Sequence, residues 1–294
     1  MSAKWKSSPT IALVALLAIT AVWGSTFLVV QDAVERMPVM DFLAVRFTAA
    51  TLVMLAIRPT CLRGMSRAGF MRAAGLGVML GMGYITQTYG LKYTSASVSG
   101  FITGMFVVLT PVMSWVLFRR GANRNTIIAV VLATVGLGLI SLNGWSVGVG
   151  ELLTLVCALF FALQIVGLGE WSAKYDTYSF AVVQIGVVAV ISLAIAVPGG
   201  IALPPDGSVW GAVALTAVLA TAAGFLVQTW AQSLVSPTRV AVVMTMELVF
   251  AGLFGVFIGG NQLTPRILGG AACVLAAMFI SGIKTAPAAP RLET

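Results

Sequence analysis

The chain has 294 residues, of which 59% are hydrophobic and only 9% charged, with a mean hydropathy of +1.02. Soluble domains carry about 25% charged residues, so a soluble globular fold is excluded and an integral membrane protein is expected. The net charge of +8 is scattered over short loops and makes no nucleic-acid-binding surface. Histidine, the commonest general base and metal ligand, is absent. The three cysteines form neither a disulfide framework nor a metal pattern: Cys157 and Cys273 lie in apolar runs and Cys61 in a basic loop.

Apolar runs long enough to cross a bilayer fall near residues 10–32, 41–58, 71–91, 96–118, 125–142, 149–169, 178–198, 209–232, 238–259 and 265–283. The expected fold is therefore all-α with ten transmembrane helices. Breaks are marked by Pro38, Pro59, Gly121, Pro198 to Pro205, Pro237 and Pro265. Residues 1–9 form a short tail, and the Pro/Ala-rich residues 284–294 a disordered one. Lys4 and Lys6 before the first run resemble a signal peptide, but that run is too long for one.

Lysine and arginine set the orientation. One set of alternate segments holds Lys4, Lys6, Arg58, Arg63, Arg67, Arg72, Arg119, Arg120, Arg124, Lys174, Arg239, Lys284 and Arg291. The opposite set holds Arg36, Lys92 and Arg266, a ratio of 13 to 3 that places both termini in the cytoplasm.

The two halves of the chain are weakly alike. At an offset of 138, Trp23–Arg46 aligns without a gap on Phe161–Gln184, pairing Asp32 with Glu170 and Arg36 with Lys174. At an offset of 141, Tyr84-Ile-Thr-Gln-Thr-Tyr89 meets Phe225-Leu-Val-Gln-Thr-Trp230. Residues 10–143 and 149–283 are thus read as two five-helix repeats. An odd number of crossings inverts the second repeat, a plan that places a binding site at the repeat interface near the membrane midplane.

Trp23-Gly-Ser, Arg46-Phe47, Leu91-Lys-Tyr-Thr-Ser-Ala-Ser97, Gly100-Phe-Ile-Thr-Gly104, Thr110-Pro111 and Met246-Glu-Leu-Val-Phe-Ala-Gly-Leu-Phe-Gly255 resemble the drug/metabolite transporter superfamily. The resemblance is to its ten-helix EamA branch, which includes the YddG-like exporters, and covers nearly the whole chain. It implies export of amino acids or related metabolites across the bacterial inner membrane, with no cofactor. Two departures stand out. The family's Glu-Pro in the ninth helix is Glu247-Leu248 here, while a proline remains in the first half at Pro111. Gly259-Gly260-Asn261 replaces an acidic residue often found at the end of that helix.

Glu247 sits near the middle of the ninth run, where an unpaired carboxylate costs roughly 2.5–3.5 kcal/mol on insertion scales. It is expected to hold a substrate ammonium, to take up a coupling proton, or to join packed helices. Arg46 is the one cation inside a run. It is expected to form an ion pair or gate with Glu247, Asp41 or Asp32, or to snorkel to the outer interface. Trp23 alone among the seven tryptophans lies deep in a run, as a cavity wall would require. Tyr84 with Gln87, and Phe225 with Gln228, each share a helix face; Gln164 is a weaker case of the same kind. Pro111 should kink the fourth helix, either as a gate hinge or to shape the cavity. The candidate cavity is thus Trp23, Tyr84, Gln87, Thr110, Gln164, Phe225, Gln228 and Glu247.

One carboxylate, one cation and several aromatics and amides suit a neutral or zwitterionic, partly apolar solute. Phosphorylated substrates would call for more arginine or lysine at depth. No Gly-rich phosphate loop is present, and neither paired intramembrane carboxylates nor an activated Ser or Cys constellation points to an enzyme. A secondary transporter working by alternating access, as a monomer or homodimer, is the reading. Efflux of cationic lipophilic drugs and a non-transporting membrane scaffold are the alternatives.

Overall fold

The computed structural model describes residues 8–94, 96–120, 122–141, 148–257 and 264–282. The residue 284–294 tail and Gly259-Gly260-Asn261 lie outside the described residues, as do residues 1–7 of the N-terminal tail. Among the described residues the fold is helical throughout, without strands. The helices are α1 (Pro9–Arg36), α2 (Val39–Ile57), α3 (Arg67–Gly90), α4 (Ala96–Gly104), α5 (Phe106–Phe118), α6 (Arg124–Ser141) and α7 (Val149–Trp171). They continue as α8 (Thr177–Ala196), α9 (Gly207–Leu215), α10 (Gly224–Gln232), α11 (Pro237–Met244), α12 (Met246–Phe257) and α13 (Pro265–Gly282). Among the described residues six helical stretches are long and apolar enough to cross a membrane: Pro9–Arg36, Val39–Ile57, Arg67–Gly90, Val149–Lys174, Thr177–Gly199 and Gly207–Gln232. Shorter apolar helices cover Ile102–Phe118, Arg124–Leu139 and Leu268–Ala277.

Local chemistry sets the helix starts. Proline opens α1, α11 and α13, where its missing N–H costs nothing. Ser66 caps α3 by accepting the Gly69 N–H at 3.1 Å, and Asp206 caps α9 through the Ser208 and Val209 N–H groups. Asp176 caps α8 through the Ser179 N–H at 2.9 Å and holds Arg58 at the same distance.

The two halves interleave. The pairs α6–α13 and α2–α8 join corresponding helices, and α3–α7 has its counterpart in α1–α10. Likewise α1–α12 is matched by α5–α7 and α4–α7. Exchanging the halves therefore maps this packing onto itself. Arg58 at the end of α2 meets Asp176 at the start of α8, so these corresponding helices run antiparallel.

The loops sort by charge. Arg58–Asp176, Arg120–Glu170 at 2.8 Å, Lys174–Glu170 at 2.9 Å and Arg72 against Tyr175 gather at one end, called here the basic end. At the opposite end Arg36 pairs with Asp32 at 3.3 Å and with Asp206. Exposed pairs contribute about 0–1 kcal/mol each, so they position the loops more than they stabilise the fold. Asp176 gives one of them a pH signature. Partial burial raises its carboxyl pKa, but hydrogen bonds from Ser179 and the Arg58 guanidinium outweigh burial and hold it below the usual carboxylate range. The stability so gained is complete above the unfolded-state value and is lost as pH falls through the lowered native value. Asp176→Asn, which keeps a cap, should therefore lower the thermal midpoint near neutral pH. The two midpoints should converge once the pH drops below that native value.

Among the described residues three helical runs are irregular in their interior. Between α4 and α5 the Val108 N–H bonds back to Met105 at 3.0 Å, and between α11 and α12 the Leu248 N–H bonds back to Thr245 at 3.2 Å. Both are three-residue turns that interrupt the helix, and they stand 140 residues apart, at matching places in the two halves. The proline-induced kink was expected at Pro111. α5 continues through Pro111, and the helix is interrupted about one and a half turns earlier at Met105, near the Val107 carbonyl that a proline ring at 111 crowds. The second break forms without any proline, next to Thr245, whose hydroxyl bonds back to the Val242 carbonyl at 2.6 Å. The third irregularity is a π-helical segment, Thr216–Ala223, between α9 and α10.

Candidate functional site

A cavity of about 70 Å³ lies in the middle of the bundle between the two halves. Its wall includes Trp23, Arg46, Tyr84, Gln87, Gln164, Phe225, Gln228 and Glu247, together with Thr26, Leu91, Thr103, Phe106 and Phe161. Lining residues come from α1, α2, α3, α4, α5, α7, α10, α11 and α12.

The aromatic part is a set of edge-to-face contacts around Tyr84 with one tilted pair beside it. Tyr84 meets Phe47 at 5.0 Å between centroids, Phe161 at 5.4 Å and Phe225 at 6.0 Å, and Trp23 lies 5.8 Å from Phe225. Edge-to-face pairs favour fixed geometry over a loose apolar slot. Trp23 is also pinned by its indole, which donates to the Ala220 carbonyl at 2.7 Å. That carbonyl belongs to the π segment, whose altered register turns polar groups toward neighbouring helices; such bulges recur at functional sites.

The same segment holds Arg46. Its Nε donates to Thr221 Oγ1 at 2.9 Å, and its guanidinium lies 5.0 Å from the Tyr84 ring centroid and 5.2 Å from that of Phe47. Arg46 is only 4% exposed, so the snorkelling expected as an alternative is overturned: the hydroxyl and two aromatic faces hold the cation on the cavity wall. Its expected acidic partners are engaged elsewhere. Asp41 accepts the Ala202 N–H at 3.0 Å and Asp32 pairs with Arg36.

Glu247 is half-buried in the first turn of α12, directly after the break at Thr245. Among the described residues neither Glu247 nor Arg46 forms an ion pair. One basic and one acidic side chain thus face one cavity, neither in a salt bridge among the described residues. Gly24 permits this packing. A Cβ there would strike the Glu247 carbonyl and lie 2.8 Å from the Ala251 N, so α1 can approach α12 closely only without a side chain. Gly24→Val should push α12 aside and destabilise the protein by about 1–3 kcal/mol, read as a lowered unfolding midpoint in detergent.

Thr110 does not line the cavity. It lies one turn beyond Phe106 toward the basic end, fully buried. Pro111 lines a separate vestibule of about 470 Å³ at the basic end, together with Arg120, Asn123, Gln232 and Ser236. A second vestibule, about 540 Å³, opens at the opposite end around Gln31, Glu35, Leu91 and Lys92. Leu91 borders both that vestibule and the central cavity.

Between cavity and basic-end vestibule stands a chain of amides. Gln164 Nε2 donates to Gln184 Oε1 at 2.9 Å, and Gln228 Nε2 donates to Gln164 Oε1 at 3.2 Å and to Gln232 Oε1 at 3.1 Å. Gln232 Nε2 donates to the Ile165 carbonyl at 2.6 Å.

Against this geometry stand the comparisons with known proteins. The sequence profile described as the EamA-like transporter family matches twice in tandem, over residues 10–142 and 148–283. The chain belongs to the EamA-like transporter family. This EamA-like protein is 34% identical over 275 residues to an Archaeoglobus fulgidus protein named an uncharacterized transporter, covering 93% of this chain and 85% of the relative. It is 31% identical over 137 residues to the uncharacterized transporter YetK of Bacillus subtilis, covering 45% of this chain and 42% of that protein. A solved structure, described only as that of a protein, matches with a TM-score of 0.79 at 15% identity, over 93% of this chain and 97% of its own; it shares the fold. The EamA-like protein is therefore a multi-pass membrane protein of a transporter family.

Phe161, Gln184 and Thr221 are among the contributors that escaped the sequence reading. Phe161 and Gln184 are the repeat partners of Trp23 and Arg46, so the internal alignment carried the signal for both. Thr221 carried none, because its position depends on the π segment.

Proposed function

We propose that this protein is a secondary transporter that exports neutral, aromatic or otherwise apolar amino acids, or related small metabolites, across the bacterial inner membrane. Ten spans form two inverted five-helix repeats, with the basic end and both termini in the cytoplasm. The repeats rock around the central cavity and open it alternately to the two vestibules. The observation that carries the reading is one central cavity lined by both Arg46 and Glu247, each without an ion-pair partner among the described residues. Such a pair of charges complements a carboxylate and an ammonium on one solute, while Trp23, Tyr84, Phe161 and Phe225 accept an apolar side chain. The breaks at Met105 and Thr245 supply matching hinge points in the two repeats.

At about 70 Å³ the cavity is far below the roughly 300 Å³ at which sites enclose drug-sized ligands, so its walls must separate as solute enters. Glu247 also supplies the site for proton coupling. Efflux of cationic lipophilic drugs is the second reading, favoured by Glu247 beside Trp23 and opposed by the Arg46 cation in the same cavity. Counterflow in proteoliposomes over the twenty amino acids plus ethidium separates them. Tryptophan or methionine exchange without ethidium movement is expected. Ethidium flux alone would establish the drug reading, and no flux from the whole panel would favour a scaffold.

A further inference from the structure

Both ends of the amide chain are fixed by backbone carbonyls. The Ile165 carbonyl can only accept, so it makes Gln232 Nε2 the donor and turns Gln232 Oε1 toward Gln228. The Phe180 carbonyl does the same from the other side. It takes Gln184 Nε2 at 3.2 Å, leaving Gln184 Oε1 for Gln164 Nε2 and Gln164 Oε1 for Gln228. The two runs converge on Gln228, and both of its amide protons are consumed. Its Oε1 remains as a buried acceptor without a partner among the described residues, on a side chain 1% exposed that belongs to the cavity wall.

We infer that Gln228 is a specificity-determining acceptor: its Oε1 takes an N–H from the solute, and the chain behind it prevents the amide from turning to serve a carboxylate. Glutamine at this place is ordinarily ambivalent, since an amide can donate or accept by flipping. Here a flip would set the Gln228 oxygen against the oxygens of Gln164 and Gln232 and forfeit two hydrogen bonds. The amino group of a solute therefore lies toward Gln228 and Glu247, and its carboxylate toward Arg46. Widening of the cavity on solute entry brings the sealed oxygen into reach. This inference rests on the transport reading for its substrate and adds which end of the solute faces which wall.

The test compares paired solutes with and without the amino group, methionine against its deaminated carboxylic acid, by calorimetric binding to detergent-solubilised protein and by competition for methionine uptake in proteoliposomes. Wild type should prefer the amine-bearing partner. Gln228→Met, which keeps the volume and removes the acceptor along with the two donors to Gln164 and Gln232, should reduce that preference about 10-fold, the loss of one hydrogen bond to a charged group. A role in packing alone would weaken both solutes equally and leave the ratio unchanged, and that result overturns the inference. Gln228→Asn, which withdraws the oxygen by one methylene, reads the same ratio if Gln228→Met does not fold. Selective binding without flux would instead sink the transport reading and leave the assignment of Gln228 standing.

Discussion

Glu247→Gln is expected to lower uptake of amino acids at least ~10-fold and to abolish its response to a pH gradient, while the protein still inserts and elutes as a single species. A hydrogen bond to a charged group contributes about 1.5–3 kcal/mol, or roughly 10- to 150-fold in kcat/KM. Glutamine keeps the shape and removes both the charge and the titrating site. Because Glu247 makes no ion pair among the described residues, no structural partner is stranded, and the loss should be functional. Proteoliposome uptake with and without an imposed pH gradient reads it. Undiminished, gradient-driven flux in the variant would remove Glu247 from both binding and coupling.

The second large effect is at Arg46. Arg46→Met should weaken zwitterionic amino acids by about the same 10-fold or more and shift preference toward solutes carrying only an amine, because the remaining charge is that of Glu247. Arg46→Lys should not restore wild-type behaviour. A lysine ammonium lacks the planar fork that can donate to Thr221 and present further N–H groups from between the Phe47 and Tyr84 rings. Competition by an amine and by the corresponding amino acid against labelled substrate measures the shift. Equal loss for both solutes would mark Arg46 as a packing residue.

Much of this site was legible because intramembrane polar groups are rare and conspicuous. Glu247, Gln87, Gln164 and Gln228 stand out in apolar runs, and each lies on the cavity wall. Trp23 stood out by depth, and the repeat alignment linked it to Phe161. Other features escaped because they depend on backbone register. The π segment, which presents the Ala220 carbonyl and Thr221 hydroxyl, is an ordinary run of small residues in the sequence. Thr110 looked equivalent to residues lining the wall but lies a turn below it. Pro111 drew attention as a kink, whereas the break one and a half turns earlier at Met105 has its counterpart at Thr245, where no proline signals it. The direction of the amide chain also needed the structure, since four glutamines in a sequence do not reveal which carbonyls their ends reach.

The claim at the centre is that one cavity recognises both charges of a small apolar amino acid. Counterflow of labelled tryptophan, challenged in turn by tryptophan, tryptamine and indole-3-propionate, tests it most directly. Tryptophan should compete at least ~10-fold better than either singly charged analogue, because each analogue forfeits one charge-assisted hydrogen bond to the cavity wall. Tryptamine competing as well as tryptophan would contradict the two-charge site.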